Sequence, residues 1–441
     1  LLRLLLFCRT SFLFSFSSCS SSLNPSSLLL AASTSSLSLS PRVLTCACQN
    51  RSCASILPST SPLLTTSAPL LSALFLTLQE PKEVELCLSL LMECVELQPT
   101  LSSFLLTLLT HRLGRPAAPQ LTLALLRALP TMASDKGCIS LVMKLVSTLS
   151  SRPSMAPFRL SLLHRLWRVE QRCYPLLQAA LLQDSVPEAQ AVEWRLSQAV
   201  VVRDILASHA TQLGSDLLPL LSTLINKSGG QEGATTASIA LQGIAVLCRE
   251  GVIDMRTTVQ VLAPRCAVDP RAKVLCSYIE VLALAPGFRV AGPQYQDFLT
   301  SSLTWLWGLL ASPLEAGVRE AAYRAVAAWD LADSQLAMLP REVRQGVKLP
   351  ARYCTSPEEA LRPPEDVLPY VPGECWASLL SQGPGAELLL ASLVRQEVAS
   401  LPRPLYSQGT GAEPLSYSHL SESSMLRGLV TALHMQTAAS S

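Results

Sequence analysis

Arg165, Arg168 and Arg172 stand at i, i+3 and i+7, the spacing that lines side chains along one helical face. Arg152 and Arg159 lie just upstream, and Glu170 is the only acid between residues 150 and 182. A planar guanidinium grips a carboxylate or a phosphate through two parallel N–H bonds, so such a ridge suits an acidic protein or an RNA backbone. The plainer reading is a solvated face neutralised by neighbouring helices. Trp167 beside Arg168 and Trp194 beside Arg195 pair residue types enriched at binding hot spots, although a Trp on an apolar stripe is more often core.

Other chemistry is sparse. Cys46, Cys48 and Cys53 could hold a soft metal, but no fourth ligand is evident and the setting is low-complexity. Glu83, Glu85, Glu93 and Glu96 flank one helix, and paired carboxylates without a pocket or a base read as a solvated face. His111, His164, His209, His419 and His434 stand far apart, at expected helix surfaces or in the tail. There is no Gly-x-Gly-x-x-Gly, phosphate loop, Gly-x-Ser-x-Gly or His-Glu-x-x-His, so the familiar nucleotide, hydrolase and metalloprotease signatures are missing.

The composition agrees with packed helices. Hydrophobic residues reach 49%, charged ones 15% and aromatics only 5%, so buried surfaces must be built from Leu, Val and Ala. Residues 1–79 are foreign to the rest, with four Arg, no acid and 20 Ser. That segment reads as disordered low complexity or a gene-model artefact; a transit peptide or a cleaved secretory signal is the other possibility. Arg9 interrupts the apolar run from Leu1 to Phe16, and no later run approaches the ~18 residues of a membrane span. Residues 80–441 carry 30 basic against 32 acidic side chains, a formal charge of −2, which excludes a bulk nucleic-acid footprint. Nine of the 14 cysteines lie outside the foreign segment, mostly inside apolar runs, as buried thiols of a reducing compartment do. Asn50 and Asn226 head formal glycosylation sequons, a short pattern that arises often by chance.

The elements that must position these residues are helices. Val84, Cys87, Leu88, Leu91, Cys94 and Val95 recur at three- and four-residue steps over 82–97, behind Pro81 at the helix start. Further runs follow at about 100–113, 117–129, 137–149, 155–168, 173–183, 188–208, 214–226, 234–249, 255–263, 271–284, 294–311 and 315–330. Short Pro- or Gly-bearing links make neighbours antiparallel, giving about six hairpins of HEAT or armadillo size. Pro313 to Ala322 resembles the second helix of a HEAT repeat, and Asp269-Pro270-Arg271-Ala272 is a weaker echo. Seven prolines break periodicity across 333–372, helices return at 374–381 and 385–401, and the Ser-rich tail holds one short apolar stretch, Leu426 to Leu433, with no evident partner.

Four stretches resemble the focadhesin family, large animal proteins built of helical repeats. They run from Arg165 through Gln178, from Val192 through Ile205, from Leu241 through Arg256, and from Ser392 through Arg403. The likeness extends from about Pro81 to Gln408 and takes in the family's domain of unknown function. The chain therefore reads as a fragment of a much longer protein, a reading that its opening on Leu1 rather than Met also suggests. Residues 1–79 and those beyond about Ala412 show no likeness, and the family's acidic insert is reduced to Glu358, Glu359, Glu365 and Asp366. The resemblance implies a non-enzymatic protein associated with focal adhesions and vinculin, and with maintenance of the Ski complex that feeds cytoplasmic RNA to the exosome.

The expectation is an all-α, HEAT/armadillo-like α-solenoid of stacked helical hairpins, acting as a cytoplasmic protein-binding scaffold with Arg165, Arg168 and Arg172 as candidate partner-binding residues. Its parts are a low-complexity segment at 1–79, helical repeats at 80–332, a Pro-rich linker at 333–372, further helices at 373–410 and a disordered tail at 411–441. No catalytic residue, cofactor, metal, DNA partner or membrane span is expected. The alternatives are an enzyme whose site is assembled from scattered residues, in which one activated thiol would react selectively, and direct RNA binding through the arginine ridge, the lesser of the partner readings.

Overall fold

The computed structural model describes residues 68–149, 153–183, 187–288, 290–312, 315–350, 353–354, 362–401, 420–421 and 423–440. Among them the regular elements are all helical. No helix among them is long and apolar enough to cross a membrane. Two compact units divide the chain at Pro187 and Glu188, inside the stretch that the sequence reads as one array.

The first unit holds α1 (Ala68–Thr77), α2 (Pro81–Leu97), α3 (Ser102–Leu113), α4 (Pro119–Ala128), α5 (Ile139–Thr148), α6 (Ala156–Val169) and α7 (Tyr174–Leu181). All six residues of the apolar stripe read from the sequence of α2 are buried. Pro81 and Pro119 occupy first-turn positions, where no intrahelical partner for an N–H exists. Helix α1 falls within the segment expected to be disordered, yet it packs on α2 and α3 and leaves Phe75 with no exposed surface. Its carbonyl end is held by buried Arg112 of α3, whose guanidinium donates to the backbone oxygens of Leu76 (3.3 Å) and Leu78 (2.7 Å). A cation there meets both the orphan carbonyls and the negative end of the helix dipole. The centre of the unit is a tight 3₁₀ stretch, Leu129–Ser134, against which α3, α5 and α6 all pack.

The second unit begins with α8 (Ala191–Lys227), a helical run broken at His209, where φ is −137° and ψ is 34°. Arg195 donates to the carbonyl of Lys227 at 3.0 Å, 32 residues away. A straight helix would separate them by about 48 Å, so α8 folds back into two antiparallel arms, as the separate runs at 188–208 and 214–226 anticipate. Both arms meet α9 (Ala234–Arg249) at Gly243, where a Cβ would lie 3.1 Å from Leu221 and 3.4 Å from Leu206. Then come α10 (Met255–Cys266), α11 (Ala272–Leu282), α12 (Pro293–Leu310), α13 (Ala316–Val326), α14 (Gly373–Leu380), α15 (Pro384–Ser400) and α16 (Met425–Ser440). Helix α9 packs on α11, α11 on α13 and α13 on α15, so every second helix joins one continuous stack, while α10 touches α11 and α12 touches α13.

Arginines and one amide tie this stack to the ends of its helices. Arg271 is buried, donating to the carbonyls of Ser228 (2.7 Å) and Gly230 (2.8 Å) while pairing with Asp269 at 2.6 Å. Arg265 reaches Asn226 through the side-chain oxygen (2.6 Å) and the carbonyl (3.0 Å). Gln396 of α15 donates to the carbonyls of Ala327 and Trp329 and accepts from the N–H of Leu331, so it closes the end of α13.

Two further expected regions differ from the structure. Leu336, Leu339, Val343, Leu368 and Val371 are buried, so the described part of 333–372 is packed against the unit and is not a free linker; the prolines prevent long helices without preventing burial. In place of a disordered tail, residues 425–440 form α16, which packs on α14 and α15. Gly428 and Gly373 let their backbones meet, since a Cβ on Gly428 would stand 2.7 Å from the Cα of Gly373.

Candidate interaction surfaces

The arginine ridge is placed only in part as the spacing expects. Arg165 and Arg168 are exposed on α6, but that helix ends at Val169, because Glu170 takes an extended conformation (φ −133°, ψ 100°). Arg172 therefore sits in the following 3₁₀ turn, off the helical face, with Glu170 accepting from its backbone N–H at 3.2 Å and lying 3.7 Å from its guanidinium. Arg159 is half-buried, donates to the side-chain oxygen of Gln183, and burial lowers its pKa from the ordinary value. Arg152 lies outside the described residues.

Trp167 and Trp194 are core, as an apolar stripe suggests. Trp167 stacks on His164 with ring centroids 5.9 Å apart and meets Tyr174 at 6.2 Å. His164 is thus buried, against the expectation of a surface histidine.

The described cysteines argue against an activated thiol. Burial raises the pKa of Cys87, Cys94, Cys248 and Cys266 to about 11 and of Cys375 to about 12, with neighbouring carboxylates adding to the shift. Cys138, Cys173 and Cys276 are raised for the same first reason. A thiol held neutral is a poor nucleophile and a poor metal ligand. No three His, Cys, Asp or Glu converge as a metal site among the described residues, and Cys46, Cys48 and Cys53 lie outside them. In the second sequon Asn226 is taken by Arg265, and Ser228 is buried, so its hydroxyl is not presented to solvent.

A surface that sequence reasoning missed lies in the second unit. Helices α10 and α12 stand apart over α11 and leave a cleft of about 530 Å³. Val259 and Ala263 form one wall, Phe298 and Trp305 the other, and Tyr278 and Leu282 the floor. Tyr278 is set edge-on to Trp305 at 5.6 Å and 77°, and burial raises its hydroxyl pKa above the ordinary 10.0. Arg256 closes one end by donating to the side-chain oxygen of Gln294 at 2.6 Å. Asp254 fixes the start of α10 by accepting from the Thr257 N–H (2.8 Å) and hydroxyl (2.9 Å), bonds that hold its carboxylate below the usual pKa. On the opposite wall, the carboxylate of exposed Asp297 makes no pair among the described residues. The sequence signal was present in Trp305, which falls off the buried face of α12 marked by Leu303, Leu306 and Trp307.

A family model described as Focadhesin/RST1, DUF3730 matches residues 106–326, half of the chain. The chain belongs to this family. It is 30% identical to human (Homo sapiens) focadhesin over 312 residues, 29% to that of Mus musculus over 312, and 31% to that of Danio rerio over 323. These alignments cover 68 to 70% of the chain but only 17 to 18% of the focadhesins, so the chain spans under a fifth of the length of the relatives it matches. The Focadhesin/RST1 match runs from α3 to α13 and includes both the α6 arginines and the cleft.

Proposed function

We propose that the chain is a non-enzymatic helical-repeat scaffold of the HEAT/armadillo type that binds other proteins. The observation that carries this reading is the α9–α11–α13–α15 stack, which leaves α10 and α12 as outer helices with an aromatic cleft between them. Stacked helical pairs bury a continuous core and present their outer helices to partners. Tyr and Trp dominate binding hot spots, and the cleft offers both. From residue 294 to 305 it extends about 16 Å along α12, enough to take apolar side chains at i, i+4 and i+7 of an amphipathic helix from a partner. Arg256 and Asp297, of opposite sign on facing walls, would fix the direction of that helix. The neutral, buried thiols favour the scaffold over an enzyme with an activated cysteine.

The resemblance supplies the setting: the cytoplasm, focal adhesions with vinculin, and maintenance of the Ski complex. The test is equilibrium binding of the purified chain to purified vinculin and to purified Ski complex. At least one should bind, and Trp305→Ala should weaken it about tenfold or more, as loss of a Trp anchor does. If neither binds, the proposal fails.

A further inference from the structure

Positive charge in the first unit is gathered on one side of its sequence. Residues 98–183 carry ten Lys and Arg against Asp135 and Glu170 alone, whereas residues 80–97 carry five Glu against Lys82. On α6, Phe158, Ser161, Arg165 and Arg168 follow at three- and four-residue steps and share a face. Arg127 of α4, 31 residues before Phe158, reaches the head of that face, its guanidinium carbon 5.9 Å from the Phe158 ring centroid. A rise of about 1.5 Å per residue puts Arg165 about 10 Å along the stripe and Arg168 one turn further. All three arginines are exposed, and their side chains make no hydrogen bond or ion pair among the described residues. Arg172 stands outside the stripe, its charge answered by Glu170.

We propose that this stripe, Arg127, Arg165 and Arg168, docks an acidic segment of a protein partner. The proposal rests on the scaffold reading and adds a second surface to it, with a partner of stated charge. Two arginines one turn apart match carboxylates one turn apart on a partner helix, each a candidate for bidentate pairing. Protein is favoured over RNA by the aromatics. Single-stranded nucleic acid is held on basic grooves whose exposed rings stack on bases. Here Arg127 lies over Phe158, and Trp167 is buried against His164 and Tyr174, so the stripe offers charge without a stacking platform.

Fluorescence anisotropy with the full chain and two labelled probes decides the matter. One probe is an Ala-based helical peptide bearing Glu at every third and fourth position; the other is a single-stranded oligouridine. The peptide should bind, lose affinity about tenfold or more in Arg165→Glu/Arg168→Glu and measurably in Arg127→Glu, and weaken with added salt as surface charges are screened. Arg165→Gln/Arg168→Gln should lose less, and it serves if the reversal variant misfolds. Tighter binding of the oligouridine than of the peptide, or equal peptide affinity in wild type and every stripe variant, overturns the proposal. Trp305→Ala should leave peptide binding unchanged, so failure at the stripe is distinguishable from failure of the cleft.

Discussion

Arg271 does more for the second unit than its position in a loop would suggest. It neutralises Asp269 and satisfies two carbonyls of the α8–α9 turn, and both partners are nearly buried. Arg271→Ala leaves two carbonyls unpaired and takes the guanidinium from the Asp269 carboxylate, which keeps only the backbone N–H of residue 271 (2.9 Å), and it should destabilise the chain by about 3 kcal/mol in chemical denaturation. The pH dependence has a definite sign. Hydrogen bonds from Arg271 hold the Asp269 carboxyl below its ordinary 3.8, so this stabilisation is complete above that pH and is lost as pH falls through the lower folded value. The gap between wild type and variant should therefore narrow below about pH 3.8; a constant gap would show that the pair is not its source. The thiols make a second residue-scale prediction. With a thiol reagent at neutral pH, peptide mapping should find Cys87, Cys248, Cys266 and Cys375 unmodified in the native chain and modified after denaturation, because burial suppresses the thiolate. Rapid native labelling of one of them would revive the enzyme alternative.

At the scale of elements, the crossing of α14 and α16 depends on Gly373 and Gly428. Gly428→Ala puts a methyl into the backbone of Gly373 and should release α16, seen as faster hydrogen exchange across residues 425–440 with little change in α9–α13. Unchanged exchange there would mean the helices do not cross at these glycines. Helices with strong local periodicity were legible in the sequence. The α2 stripe needs only spacing and a proline, and Asp269-Pro270-Arg271 already stood out as a repeat-like opening. What was not legible depended on distant partners. Helix α16 gains its packing from α14, some fifty residues earlier, so an eight-residue stretch with five apolar side chains in a Ser-rich tail gave no sign of it. The ridge was read from the i, i+3, i+7 spacing as one face, but the helix ends at Val169, close to the bound of 168 read from the sequence, so Arg172 falls beyond it, while Arg127 joins from α4 through a contact no local pattern reveals. The cleft likewise exists only because α10 and α12 stand apart over α11.

For the whole molecule, the two units present different surfaces: a basic stripe in the first and an aromatic cleft in the second. Both lie inside the shared Focadhesin/RST1 region, and the chain accounts for under a fifth of the length of the focadhesins it matches. The central claim is that the chain works by holding another protein between its outer helices. Hydrogen exchange of the full chain with and without purified vinculin or Ski complex tests it most directly. The account predicts protection concentrated in α10 and α12, residues 255–266 and 293–310, and its loss in Trp305→Ala. Protection confined to other helices, or none with either partner, would contradict it.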